Sequence, residues 1–409
     1  MPRQTRRTTR PQDVGLDATR LDALMARLRA DVGRGEIPGA VVLVGRNDKI
    51  AFCEAVGFRD REAGAAMKTD AIFRIASMTK PIVSLAAMML VEEDRLTLAD
   101  PVSKYLPAMA GVKVGVERTT AGGKRVLDLV EPARAMTGHD LLRHTSGLGY
   151  GWISPSLAKK AYIKVEIHGG ALTTAGFVER LAGLPLHWQP GTTWEYSVST
   201  DVLGAVIEAI AGQTLDAFLA ERILAPLGMT DTGFHVPASK HDRIAEPQAA
   251  ANGARPAMRD VRNPPARCGG GGGMVSTAAD YARFCQFLLN GGELDGKRLV
   301  SRKTIELMTA DHLPPDCPVG PDMEPEIGPM TPLPRHGQGF GLGFALRTAA
   351  GRNSLPGSVG DYHWSGAFGT VFWVDPVERL YAILMTQTVQ RVVRHVTIMR
   401  QGVYAAIAD

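Results

Sequence analysis

Ser77-Met78-Thr79-Lys80 opens an apolar run in which Ile82, Leu85, Ala86, Met89 and Leu90 recur at helical spacing. A serine at the tip of a buried helix sits in the positive field of its free N–H groups. Lys80 comes three residues later and shares the face of Ser77. An ammonium beside the hydroxyl lowers the cost of forming alkoxide, and a desolvated lysine can accept the proton. Pro81 fits, because the N–H it lacks would have bonded the Ser77 carbonyl, which a helix tip can leave to other partners. Taken alone, the four residues describe a helix cap and a solvated lysine equally well, so the rest of the chain decides.

Three further segments bear on Ser77. Trp194-Glu195-Tyr196-Ser197-Val198 lies just before an apolar stretch from Asp201 to Ala211. A phenol held near the Lys80 ammonium ionises more readily and can shuttle a proton to and from Ser77. The plainer alternative is a packed tyrosine with its hydroxyl satisfied. His363-Trp364-Ser365-Gly366-Ala367 falls inside a predicted strand, where a glycine permits close approach of a ligand. The N–H of Ala367 and that of Ser77 could then form an oxyanion hole, where losing one donor typically costs ~100–1000-fold in rate. The plainer alternative is an aromatic strand residue beside a bulge. His144-Thr145-Ser146-Gly147-Leu148 reads as a turn that braces the site.

Helices and strands must bring these segments together. Leu21, Leu24, Met25, Leu28 and Val32 mark a helix capped by Asp17 and stopped at Gly33 and Gly35. Val41–Val44 reads as a buried strand, and Asn47-Asp48 turns the chain into a second strand near Ile50 to Val56. The Ser77 helix ends near Glu92-Glu93-Asp94. Residues 108–137 hold a hairpin pivoting on Gly122-Gly123, and a largely helical region follows to about 260. Within it, Thr214 caps a helix that runs to Leu224, just before Pro226. Ser276 or Thr277 caps another, through Leu289.

The glycine run Gly269–Gly273 lacks a following Gly-Lys-Ser/Thr and reads as a flexible return between domains, not a phosphate loop. Residues 312–338 carry eight prolines from Pro314 to Pro334 and form a long irregular loop. That loop and residues 108–137 are expected at the rim of the pocket. Alternation of Phe340, Leu342, Phe344 and Leu346 with Gly341, Gly343, Ala345 and Arg347 predicts a half-buried strand. Two more strands are expected near 362–374 and 380–387, and a last helix over 390–407. Strands thus lie at both chain ends and helices between them. This predicts an α+β fold, an antiparallel sheet flanked by helices and built from both ends, with a mainly helical domain inserted. The expected boundaries are 16–105 plus 262–409 for the sheet domain, 106–261 for the insert, and 1–15 for a disordered arm.

Composition narrows the function. The 409 residues can bury one or two substantial cores, and 22% charged with 45% hydrophobic residues is ordinary for a globular protein. The net charge of +4 is matched by Arg3, Arg6, Arg7 and Arg10 alone. The body is near neutral, which argues against a nucleic-acid surface. No apolar segment follows these arginines and no run has the length to cross a bilayer, so a cytoplasmic protein without membrane contact is expected. Cys53, Cys268, Cys285 and Cys317 are scattered and read as reduced thiols. No paired histidine spacing suggests a metal, and no cofactor is expected. Gly-x-Ser-x-Gly is absent; Pro356-Gly357-Ser358-Val359-Gly360 lacks the first glycine, which argues against an α/β-hydrolase elbow.

Ser77-Met78-Thr79-Lys80, Leu141–Leu148, Tyr196-Ser197-Val198 and His363-Trp364-Ser365-Gly366 stand in one order and rough spacing. Together they resemble the serine β-lactamase and penicillin-binding-protein superfamily on its class C side, and within it the family VIII carboxylesterases and related fungal acyltransferases. The resemblance spans roughly residues 20–400 and implies a β-lactamase/transpeptidase-like fold. It makes Ser77 the acylated nucleophile, Lys80 its partner, and Tyr196 the base in acylation and the activator of water in deacylation. It gives the oxyanion hole to the N–H groups of Ser77 and Ala367. It assigns substrate contacts to Trp364, Ser365, Gly366, Val198 and Tyr150. Two departures from the lactamases point to uncharged short-chain esters. Val198 stands where they usually carry Asn, and Trp364 where they carry the lysine that pairs with the substrate carboxylate. A lost charged hydrogen bond is worth about 1.5–3 kcal/mol. A small-molecule ester is the expected partner, with acyl transfer to an alcohol or amine and weak lactam or D-peptide hydrolysis as alternatives.

Overall fold

The strand expected at Val41–Val44 spans Gly39–Arg46 (β1) and is buried along its whole length. Asn47 and Asp48 both take positive φ, 51° and 64°, as a tight hairpin turn of matching twist requires. They lead into Lys49–Asp60 (β2) and the short Ala65–Ala66 (β3). The far end of the chain adds Gln338–Phe340 (β4), Ala345–Arg347 (β5), Tyr362–Ser365 (β6), Val371–Asp375 (β7) and Leu380–Thr386 (β8). In this computed structural model, which describes residues 9–151, 156–167, 172–249, 253–254, 256–389 and 392–409, the order is β4-β5-β6-β7-β8-β1-β2-β3, and every pair is antiparallel. Both chain ends therefore build one sheet, joined where β1 meets β8.

Side chains alternate across this sheet and split the core in two. Val41, Leu43, Phe372, Val374, Ile383 and Met385 face one cluster, shared with Thr79–Glu92 (α2) and Ala278–Leu289 (α4). Ala40, Val42, Val44, Trp373, Ala382 and Leu384 face the other, shared with Ala18–Gly33 (α1) and Val392–Tyr404 (α5). Burying each such large side chain contributes about 1.5–3 kcal/mol. Ser199–Ala211 (α3) packs on the far side of α2. As a result every residue of α2 from Thr79 to Leu90 is buried, which is why the segment is apolar all round. The expected caps are present: Asp17 accepts from the Thr19 N–H and Thr277 from the Asp280 N–H. No single helix among the described residues is long and apolar enough to cross a membrane.

Several expectations are corrected. Residues 9–15 are ordered, with Pro11–Val14 in a 3-10 turn. The buried Val14 and Leu16 hold it, with Leu16 bridging to Ile407; residues 1–8 lie outside the described part. The alternating stretch 340–347 is the turn and second arm of a buried hairpin, because Gly343, at φ 98°, reverses the chain where a Cβ would meet Ser84. The helix after Thr214 passes through Pro226 to Leu227, and a π turn over Ala220–Leu224 absorbs the missing N–H. The first N–H of that helix, at Leu215, is met by the Glu208 carboxylate and not by Thr214. Among the described residues from Gly228 to about 260 the chain is mostly irregular, with a 3-10 turn at Ala238–Arg243.

Candidate active site

Ser77 lies in the 3-10 turn Ala76–Met78, which runs straight into α2. Ala76 has φ 44°, a left-handed backbone that turns the serine out of the preceding strand pair. Lys80 is one turn further on and 1% exposed. Its Nζ lies 3.3 Å from Ser77 Oγ, 2.6 Å from the Gly271 carbonyl oxygen and 3.1 Å from the Tyr150 hydroxyl. The ammonium's three N–H groups thus have three oxygen partners. The Tyr196 ring covers it as well, with Nζ 4.5 Å from the ring centroid. Lys80 thus touches Ser77, one turn away, and Tyr196, from a distant part of the chain.

Tyr196 is fixed from behind. The Trp194 N–H donates to Pro318 O, the Gly320 N–H to Trp194 O, and the Glu195 N–H to His144 O. Glu195, fully buried, pairs with the Lys159 ammonium at 2.7 Å and accepts from the Trp188 indole at 3.1 Å. The His144 ring lies 5.0 Å from that of Tyr196 and bonds Ser197 Oγ at 3.3 Å. Ser197 and Ser146 both bond Ser199. Burial and the Lys80 charge hold His144 well below the ordinary histidine range, so it braces as a neutral ring. The proline-rich loop is part of this support through Pro318, Gly320 and Met323. Neither it nor residues 108–137 reach the cavity at Ser77.

Trp364 donates its indole N–H to the Tyr196 oxygen at 3.3 Å. It is 3% exposed and wedged between Tyr196 and Phe340, so it holds the phenol and does not line the pocket. Val198 is also corrected: it is fully buried at the start of α3 and packs in the core. Ser365, half-buried, ends β6, and the strand expected through Ala367 stops there. Gly366 turns instead, its N–H bonding Thr370 O, and sits so close to Ile75 O that a Cβ would lie 2.4 Å away. Thr370 Oγ1 donates to the same carbonyl. Ala367 is the exposed residue of that turn, and Phe368 after it lines a cavity with Ser77.

That cavity, about 500 Å³, also takes in Tyr150, Asp201, Arg259, Arg267 and the glycine run. Burial, with Tyr196 and Asp201 adding, pushes the Tyr150 phenol well up, so it remains neutral. Sequence reasoning missed the glycine run as a wall of the site. Its backbone is pinned: a Cβ on Gly270 would stand 2.5 Å from Thr200 O, and one on Gly271 2.2 Å from Asp201 Oδ2. Consecutive missing side chains were the available signal. Among the described residues no group of three His, Cys, Asp or Glu could hold a metal.

A family model described as Beta-lactamase matches residues 21–405. An uncharacterized protein of Mycobacterium tuberculosis is 37% identical, covering 90% of each chain. Esterase EstB of Burkholderia gladioli is 33% identical, covering 91% of this chain and 90% of its own. Among solved structures, EstCE1, a hydrolase with promiscuous acyltransferase activity, superposes with TM-score 0.78 at 28% identity, covering 96% of this chain and 99% of its own.

Proposed function

The chain belongs to the beta-lactamase family, and from that membership we propose that it is a serine carboxylesterase of the family VIII type. It hydrolyses short-chain esters through an acyl-serine intermediate. The observation that carries this reading is Lys80, a buried ammonium between Ser77 Oγ and two tyrosines beside an open cavity. In acylation Tyr196 takes the Ser77 proton as Oγ attacks the ester carbonyl, and returns it to the leaving alcohol. In deacylation Tyr196 draws a proton from water as its oxygen attacks the acyl carbon; the acyl–Oγ bond breaks, the acid leaves and the proton passes from Tyr196 to Ser77 Oγ. The Trp364 N–H on the phenol oxygen supports the negative charge that this base carries. Tyr150, neutral, serves as a fixed partner of Lys80. The N–H groups of Ser77 and Ala367 receive the oxyanion.

The test is turnover of p-nitrophenyl acetate. We expect Ser77→Ala to abolish it and a phosphonate to add one label, located at Ser77 by mass spectrometry. Undiminished turnover by Ser77→Ala would remove the reading. A second reading, acyl transfer to an alcohol, is favoured by the promiscuous acyltransferase activity of EstCE1. Added alcohols would then divert the acyl group from water into a new ester. The four free cysteines accord with the cytoplasmic location proposed here.

A further inference from the structure

The cavity at Ser77 has one charged wall, made by residues 259–267. Most of its charges are matched. Arg267 pairs with Asp201 at 2.9 Å. Arg262 reaches both Glu246 and Asp260, and Glu246 also takes Arg74 at 3.2 Å. The remaining oxygen of Asp260 accepts from Asn263. Among the described residues around this wall, Arg74, Arg259 and Arg262 face Glu246 and Asp260, which leaves one positive charge over. It falls on Arg259, which has no carboxylate partner among the described residues.

Arg259 is also oriented. Its Nη2 donates to Phe234 O at 2.8 Å and to Gly273 O at 2.6 Å, and its own carbonyl accepts from Arg74. Gly272, next to the second of these anchors in the glycine run, packs on the backbone of Ala76, the residue before Ser77. The Nε and Nη1 groups make no hydrogen bond among the described residues. A guanidinium clamped at Nη2 keeps its Nε–H and Nη1–H groups on separate edges of the plane, and either can give a carboxylate oxygen one charge-assisted hydrogen bond.

We infer that the preferred substrate is an ester carrying a carboxylate away from the scissile bond, held by Arg259. This deepens the esterase reading and rests on it. It also amends the expectation of uncharged esters: Arg259 supplies a cation where the lysine that the lactamases carry at the position of Trp364 is missing.

Two matched pairs of esters test it, one with the charge on the alcohol side and one on the acyl side. They are 4-acetoxybenzoate against 4-acetoxybenzamide, and monoethyl glutarate against ethyl pentanoate. In at least one pair the anionic ester should lead by roughly 10-fold or more in kcat/KM, chiefly through KM, with the lead falling as salt rises. Arg259→Gln should lose roughly 10–100-fold on that anionic ester, the worth of one charged hydrogen bond, and under 3-fold on its neutral match. Arg259→Lys should restore part of the difference. Equal losses on both members, or no anionic preference in either pair, would overturn the inference. Calorimetry of 4-acetoxybenzoate with Ser77→Ala protein, with and without Arg259→Gln, reads the same contact without turnover. Binding that depends on Arg259, together with a wild-type protein that hydrolyses none of these esters, would refute the esterase reading alone. Binding indifferent to Arg259 would refute this inference alone.

Discussion

Two tyrosines share one lysine in this site, and their surroundings give them different work. Tyr150 meets Lys80 through its hydroxyl and is too deeply buried to ionise. Tyr196 meets Lys80 through its ring and keeps its oxygen for the Trp364 indole. A phenol kept neutral by burial cannot act as the base, which leaves that work to the other tyrosine beside the lysine. Tyr196→Phe should therefore cost roughly 100–10,000-fold in kcat, the usual worth of a positioned base. Tyr150→Phe removes one hydrogen bond to an ammonium and should cost about 10-fold. Trp364→Phe keeps the aromatic packing but loses the N–H, and should also cost about 10-fold, in kcat more than in KM. Initial rates on p-nitrophenyl acetate with each purified variant check this order. If Tyr150→Phe proved as damaging as Tyr196→Phe, the base would have been given to the wrong phenol.

At the scale of elements, the glycine run behaves as a shaped wall. Gly270 lies against the Thr200 carbonyl and Gly271 against the Asp201 carboxylate, whereas a Cβ on Gly272 would find nothing nearer than 3.5 Å. Gly270→Ala should therefore destabilise by about 1–3 kcal/mol, since backbone cannot yield as a side chain can. Gly272→Ala should be within about 0.5 kcal/mol of wild type. Urea midpoints separate these outcomes from a flexible linker, in which both changes would be mild. This is also where sequence reading stopped short. Helical periodicity and caps located α1, α2 and α4 nearly to the residue, because those signals lie within the element itself. The order of four motifs singled out Ser77, Lys80 and Tyr196, and the fold sets the first and the last against Lys80. The role of a glycine, by contrast, depends on which distant atoms crowd it, and here those belong to α3. Val198 fails for the same reason: its place in a motif suggests a substrate contact, but α3 turns it into the core. The hairpin at 338–347 was hidden because burial on both sides makes its turn as apolar as its arms.

Over the whole molecule, burial has made several histidines neutral, and this sets how the protein responds to acid. His139 is held down at about 4 by burial and by Arg143. His187 is held at about 3 by burial and Lys159, and His144 well below its ordinary value by burial and Lys80. In the unfolded chain each would bind a proton near pH 6.5. Between about pH 6.5 and 4 the unfolded state thus carries more protons, so stability is complete above this window and declines as pH falls through it. Each of these rings contributes a slope of at most about 1.4 kcal/mol per pH unit. Glu195, raised by burial, opposes this near the foot of the window. Asp361 adds a second decline at lower pH. Arg400 foremost, with His363, holds its carboxyl far below the usual range, so its contribution is present above about pH 3.9 and is lost below it. Urea titrations from pH 8 to 3 should show a plateau above 6.5, a fall from there to about 4, and a further fall below. His187→Phe, which removes one titrating ring, should flatten the middle segment and leave the last one in place. A midpoint that stayed level from pH 8 to 4 would mean that these rings are protonated in the native protein, with their neighbouring cations displaced.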